Sequence, residues 1–118
     1  MIKLAFILLL NIVLIACSSD KNREAQDFGL LCDQFTALLK ADGYTNMTSE
    51  KRADVLEEML VEVLAPTSNA YIAWTAIRYA TPSARAALFD EAAHSSGYKD
   101  WGCSAINEHG HEVGSSHE

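Results

Sequence analysis

Residues 69–80, Asn-Ala-Tyr-Ile-Ala-Trp-Thr-Ala-Ile-Arg-Tyr-Ala, decide the fold class of this chain. The stretch is apolar almost all round, and a helix of this kind is usually surrounded by other helices. We expect Trp74 and Ile77 to lie at the centre of the core, with the alanines letting neighbouring helices come close. Arg78 is the lone charge of the stretch, and we expect it either to pair with an acidic side chain or to reach a pocket. Its candidate partners are Glu57, Glu58, Glu62 and Glu91.

Other segments of the chain show the periodicity or the boundary signals of helices. Thr48 is a good N-cap before one of them, Pro66 ends it, and Thr81-Pro82 begins a later one. The residues in register on one stripe of that later helix are Ala84, Ala87, Leu88, Glu91 and Ala92. The helices predicted around the central one cover residues 24–41, 48–64, 81–95 and 100–106. Since no strand candidate remains, we predict an all-α fold, a small four- to five-helix bundle within residues 24–108.

The N-terminus combines a positive charge at Lys3, an apolar stretch over residues 4–13 and the run Leu14-Ile15-Ala16-Cys17. A positive start, an apolar middle and a small residue at the cut form the secretory signal pattern. The apolar stretch is too short for a transmembrane anchor, which needs roughly 20 residues to cross about 30 Å of hydrocarbon. An ordinary signal peptide is the other alternative, and the cysteine directly after Ala16 argues against it.

The run at 14–17 resembles the lipobox of bacterial lipoproteins. The resemblance implies that residues 1–16 are a signal peptide, and that Cys17 becomes the first residue and carries fatty chains such as palmitate. Residues 17–23 would then be the lipidated cysteine and a flexible tether. In that family an aspartate directly after the cysteine favours the inner membrane. Ser18 stands there instead, which implies an outer-membrane anchor facing the periplasm or the cell surface.

Two cysteines remain once Cys17 is acylated, Cys32 and Cys103. The compartment that the resemblance implies is oxidising, so a lone pair is most simply a disulfide. The alternative, a redox-active pair, lacks a C-x-x-C motif and a nearby basic cluster that would lower a thiol pKa.

The charge balance excludes some partners. The chain has nine basic and sixteen acidic residues and a net charge of −7, which becomes −8 when Lys3 leaves with the signal peptide. An acidic body repels phosphate backbones, so we expect no nucleic-acid partner. It also gains nothing from anionic headgroups, so the lipid rather than the protein surface must hold it at the membrane.

The C-terminus, residues 109–118, is rich in Gly, Ser, His and Glu, and we expect it to be a disordered tail. Its residues His109, His111 and His117 have the side-chain type that binds zinc, copper or nickel. A tail offers no scaffold to orient such ligands, so we expect adventitious binding rather than a specific metal site, and no cofactor.

No G-x-S-x-G, P-loop or G-x-G-x-x-G motif occurs, so we expect a non-enzymatic chain. The leading hypothesis is a membrane-anchored module that binds a protein or associates with the envelope, its partner unknown. The stretch Cys32-Asp33-Gln34-Phe35 resembles the region after the first cysteine of HdeA-type acid-stress chaperones, which implies a disulfide-closed body that opens at low pH. Size, compartment and acidity are also similar to those of small helical immunity proteins that neutralise envelope-attacking toxins.

Overall fold

Five of the segments with helical patterns form helices in the structure, a computed structural model that describes residues 23–115. No strand occurs within that range, so the all-α prediction is confirmed. The predicted signal peptide (residues 1–16), Cys17 and the predicted tether up to residue 22 lie outside the described residues, and so does His117. The helices are α1 (23–39), α2 (Ser49–Val63), α3 (Asn69–Ile77), α4 (Arg85–Ser95) and α5 (Ser104–His109).

Local signals set most helix boundaries. The Thr48 hydroxyl accepts from the Lys51 amide at 3.1 Å at the start of α2, and Ser68 caps α3 in the same way. α3 ends at Ile77, three residues earlier than predicted, because i→i+3 hydrogen bonds tighten the chain up to Ala80. α4 begins at Arg85 rather than at Thr81, since Pro82 starts a separate 3₁₀ turn.

The core is centred on α3, as predicted. Trp74 is fully buried and Ile77 nearly so, and α3 packs against α4. The buried Trp74 indole donates a 2.5 Å hydrogen bond to one carboxylate oxygen of Glu57, and the Tyr71 hydroxyl donates to the other oxygen. Burying Trp74 therefore leaves no indole N–H without an acceptor, and a single carboxylate links α2 to α3.

The predicted disulfide is confirmed and joins Cys32 on α1 to Cys103, the residue before α5. The two Cα atoms are 5.7 Å apart across 71 residues of sequence. Phe28 and Trp101 reinforce this junction with an edge-on ring contact, and the indole donates to the Phe28 carbonyl at 3.1 Å. Closing so long a loop contributes about 4 kcal/mol in the chain-entropy model.

The stripe in register on α4 is partly buried, and the fully buried face of this helix lies beside it. The buried residues of this helix are Arg85, Phe89 and Ala93, while Leu88 and Ala92 are only partly buried. Four-residue spacing places the first three on one face. The reason is that Arg85 finds enough hydrogen-bond acceptors to be buried, so the helix turns that face inward.

The prediction of a disordered tail is corrected for residues 109–115. His109 ends α5, a 3₁₀ turn follows at Gly110–Glu112, and the chain then runs along the body as far as residue 115. Val113 is 1% exposed, so this C-terminal segment (residues 110–115) contributes an apolar side chain to the core. Composition favoured disorder, but contacts from distant parts of the chain order the segment.

Candidate functional site

An exposed, mostly apolar stripe, which we call the outer face of α3, consists of Ile72 and Ala76 on the helix and Tyr79 in the turn that follows it. The Arg78 guanidinium lies 5.3 Å from the centre of the Tyr79 ring. Ile72 is 52% exposed and Tyr79 is 51% exposed. Ile72 and Ala76, four residues apart, lie on one side of the helix, and Ala76 is exposed as well. Because α3 is apolar almost all round, packing one side of it into the core leaves apolar side chains on the other. No charged residue occurs between Asn69 and Ile77.

A shallow groove of about 340 Å³ runs between α3 and α4, beside the outer face of α3. Ala76 belongs to both, so the stripe and the groove form one continuous surface, which we call the α3–α4 surface. The side chains that line the groove are Ala73, Ala76, Ile77, Leu88, Glu91, Ala92 and Ser95.

The chemistry of the α3–α4 surface suits contact rather than bond making. Among the described lining residues, Glu91 is the charged side chain and Ser95, one turn further along α4, is the hydroxyl. The remaining side chains are apolar and mostly small. Leu88, Glu91 and Ala92 belong to the stripe that the sequence places in register on this helix. Leu88 and Ala92 are partly buried against the core, and their remaining surface lines the groove.

The histidines predicted as weak metal candidates pair with a carboxylate instead. His109 Nδ1 lies 2.8 Å from Glu112 Oε2, and His111 Nε2 lies 3.7 Å from the same oxygen. Tyr44 donates a 2.8 Å hydrogen bond to the other oxygen of Glu112. Within residues 23–115 no group of three His, Cys, Asp or Glu side chains is placed to hold a metal ion. His117 lies beyond that range.

These contacts shift two titrations. Partial burial by itself would raise the pKa of the Glu112 carboxyl, but the hydrogen bonds from His109 and Tyr44 outweigh it and hold that pKa below its ordinary value. Burial, together with the hydrogen bond to Glu112, raises the pKa of Tyr44 to about 12. At neutral pH Tyr44 is therefore protonated and Glu112 ionised, the states that this hydrogen bond needs.

Three arginines hold the C-terminal segment, and we call Arg52, Arg78 and Arg85 the arginine clasp. Arg52 and Arg85 donate to its main-chain carbonyls and Arg78 donates to the Ser115 hydroxyl. Arg85 is 1% exposed and donates to the carbonyls of Ala80, His111 and Ser115 at 3.2, 3.2 and 3.3 Å. Burial lowers the pKa of its guanidinium. The side chain fills the space over Gly114 so closely that a Cβ there would lie 2.2 Å from Arg85 Cζ.

The other two arginines complete the clasp from α2 and from the end of α3. Arg52 donates to the carbonyls of Tyr44 and Glu112 at 3.0 and 3.2 Å, and its guanidinium lies 4.2 Å from the centre of the Tyr44 ring. Arg78 donates to the Ser115 hydroxyl and pairs with Asp54 at 3.1 Å. Main-chain hydrogen bonds from Gly114 to Ser49 and from Ser115 to Arg78 fasten the segment further.

The partner of Arg78 differs from the glutamates predicted for it. One of those, Glu57, accepts hydrogen bonds from Tyr71 and Trp74 instead. Arg78 therefore pairs with the exposed Asp54, one turn earlier on α2. Sequence reasoning also missed Arg85, although its spacing from Phe89 and Ala93 placed a charge on an apolar stripe and could have signalled a buried arginine.

The described helices include none that is long and apolar enough to cross a membrane. No protein-family model matches the chain, no curated protein matches its sequence, and no solved structure matches its fold. The function proposed for the chain consequently rests on its own residues.

Proposed function

We propose that this chain is a bacterial lipoprotein, anchored in the outer membrane through Cys17, whose helical domain is a non-enzymatic module that binds another protein of the envelope. The observation that carries the binding role is the α3–α4 surface. It is an apolar stripe with a groove beside it, on a helix that has no charge, in a chain with a net charge of −7. Apolar surface of this kind, rimmed by polar residues, is typical of protein–protein contact sites.

Two observations support the anchor. The run Leu14-Ile15-Ala16-Cys17 resembles a lipobox, and the two remaining cysteines, Cys32 and Cys103, form a disulfide. Structural disulfides are typical of oxidising compartments such as the bacterial periplasm. Together they favour a domain held outside the cytoplasm by its lipid.

The anchor is tested by the intact mass of protein purified from membranes. We expect cleavage before Cys17 and the added mass of a diacylglyceryl group with or without a third acyl chain. The variant Cys17→Ser should leave the membrane fraction, while the disulfide of the domain still forms. An uncut or unacylated N-terminus in the native material would contradict the proposal.

The binding role is tested by placing a photo-activated crosslinking amino acid at Ile72 in the native envelope. We expect a discrete crosslinked product from Ile72 and the same product from Tyr79. The matched position is Lys51, exposed near the start of α2, where we expect no such product. Absence of any product from Ile72, in unstressed cells and under envelope stress, would contradict the binding role.

A second candidate, an acid-stress chaperone, is favoured by the contacts of Glu112. Its carboxylate holds Tyr44 and His109 and has a lowered pKa, so acid removes part of what fastens the C-terminal segment. This function requires reversible loss of the near-UV circular dichroism signal near pH 3, together with suppressed aggregation of an acid-unfolded client protein. An unchanged near-UV spectrum at that pH would exclude it.

A further inference from the structure

The shape of the α3–α4 surface selects a helix as its occupant. A strand would need unpaired backbone N–H and C=O groups to bind to, whereas both walls of the groove are helices whose main-chain groups are bonded internally. The walls contain nine and eleven residues, about 14 and 17 Å at 1.5 Å per residue, which matches roughly three turns of a ligand helix. Ala73, Ala76 and Ala92 have small side chains, so a third helix can approach α3 and α4 closely at the groove.

The charge around the groove selects the sign of that helix. Glu91 is exposed in the lining, and α3 adds no charge to the other wall. The basic residues at the near ends of the two walls are occupied: the Arg78 side chain is 11% exposed and paired with Asp54, and Arg85 is buried. A positively charged partner is therefore attracted, and an acidic one is repelled.

The same charges argue against a second copy of this chain as the occupant. Two copies that meet through their α3–α4 surfaces would bring Glu91 of each into one interface, on bodies that each carry a net charge of −8 once Lys3 has left with the signal peptide. No basic residue of α3 offsets this repulsion, and Arg78, which follows α3, is paired with Asp54. A different protein with basic residues avoids this repulsion.

We infer that the partner inserts an amphipathic helix of about three turns into the α3–α4 groove, with an apolar stripe at i, i+4 and i+7 flanked by lysine or arginine. This inference rests on the proposed binding role and names the chemistry of the partner. The apolar stripe packs on Ile72, Ala76 and the groove floor, and a flanking basic side chain pairs with Glu91.

Three synthetic 14-residue peptides serve as probes. One has a leucine stripe at helical spacing with lysines on both flanks, the second replaces the lysines by glutamates, and the third scrambles the first so that no stripe remains. Each is labelled and titrated by fluorescence anisotropy against the lipidated protein in phosphatidylcholine nanodiscs, with empty nanodiscs as the blank. We expect the lysine peptide to bind at least about tenfold more tightly than either of the others.

Matched variants locate the binding. Ile72→Ser should weaken binding of the lysine peptide about tenfold, and Glu91→Gln about threefold. The controls are Val61→Ser, an equally exposed valine on α2, and Glu58→Gln, an exposed acid on α2 outside the groove lining. Neither control should change the affinity.

Several results would overturn the inference. These are equal binding of the lysine and glutamate peptides, equal binding of the scrambled peptide, no binding of any peptide, or a loss from Glu58→Gln as large as that from Glu91→Gln. Sedimentation that shows a dimer abolished by Ile72→Ser would assign the surface to a second copy instead. If Ile72 crosslinks a partner that lacks a basic amphipathic helix, the inference fails and the proposed binding role stands; without any crosslink, the binding role fails itself.

Discussion

The outer face of α3 is apolar but exposed, whereas much of the C-terminal segment is polar but buried, which is the opposite of what their compositions suggest. α3 is more apolar than α2 or α4, yet its residue Ile72 remains half exposed. The C-terminal segment contains Gly, His, Glu and Ser with a single valine, yet its residues 113–115 are buried. Burial at each place follows the available partners rather than the apolar character of the residues.

The difference shows how a buried arginine allows a polar segment to be buried. A main-chain carbonyl that leaves water needs a donor, and the clasp supplies donors to His111, Glu112 and Ser115. The outer face of α3 has no such requirement, because alkyl side chains can stay exposed at a modest cost. The C-terminal segment is ordered by specific hydrogen bonds, whereas the outer face of α3 stays exposed.

Removing the Arg85 guanidinium should have the largest effect on the free energy of unfolding. In Arg85→Met three carbonyls lose a charged donor, and we expect a loss of about 3 kcal/mol in the free energy of unfolding. Urea unfolding with the disulfide intact measures it, and Lys99→Met, an exposed position, should change stability by less than about 0.5 kcal/mol. A loss below about 1 kcal/mol would mean that the clasp does not hold the C-terminal segment.

Filling the space over Gly114 should have the next largest effect. The Cβ of Gly114→Ala would collide with the buried Arg85 guanidinium, and we expect a loss of about 2 kcal/mol. The matched control is Gly102→Ala, where a Cβ meets no heavy atom within 4 Å and stability should stay nearly unchanged. Equal effects of the two variants would show that the close contact at Gly114 is absent in solution.

The carboxylate of Glu112 should contribute a smaller, pH-dependent amount. Its pKa in the folded protein lies below the ordinary value of 4.5, so its stabilisation is present above that pH and is lost as the pH falls. We expect Glu112→Gln to cost about 1 kcal/mol at pH 7 and almost nothing near pH 3. Glu58→Gln should show no difference at either pH. A Glu112→Gln deficit that persists at pH 3 would assign the loss to packing rather than to charge.

Changing the outer face of α3 should have the smallest effect on stability. Since Ile72 is half exposed, Ile72→Ser should alter the free energy of unfolding by less than about 0.5 kcal/mol, much like Val61→Ser. Urea unfolding of both variants beside the parent protein measures this. A loss above about 1 kcal/mol from Ile72→Ser alone would make the outer face part of the core and remove the contrast between the two regions.

Sequence reasoning recovered the parts of the structure that depend on neighbours along the chain. Periodicity located the helices, Thr48 capped α2 as expected, and Trp74 with Ile77 lies in the core. It recovered less of the candidate site. The stripe in register on α4 contributes Leu88 and Ala92 to the groove lining, but the pattern did not identify the groove, because a helix with two apolar faces does not itself specify which one is covered.

Two kinds of interaction, local and tertiary, determine the structure of residues 23–115. Local spacing, caps and prolines specify where each helix begins and ends, and the presence of two cysteines in this range leaves one intramolecular pairing for the disulfide. Only the tertiary structure decided that Arg85 is buried, that Arg78 pairs with Asp54, and that the polar C-terminal segment is ordered. The physical reason is that helix boundaries depend on residues a few positions apart, whereas burying a charge or a carbonyl depends on hydrogen-bond partners that lie distant in sequence and come together only on folding.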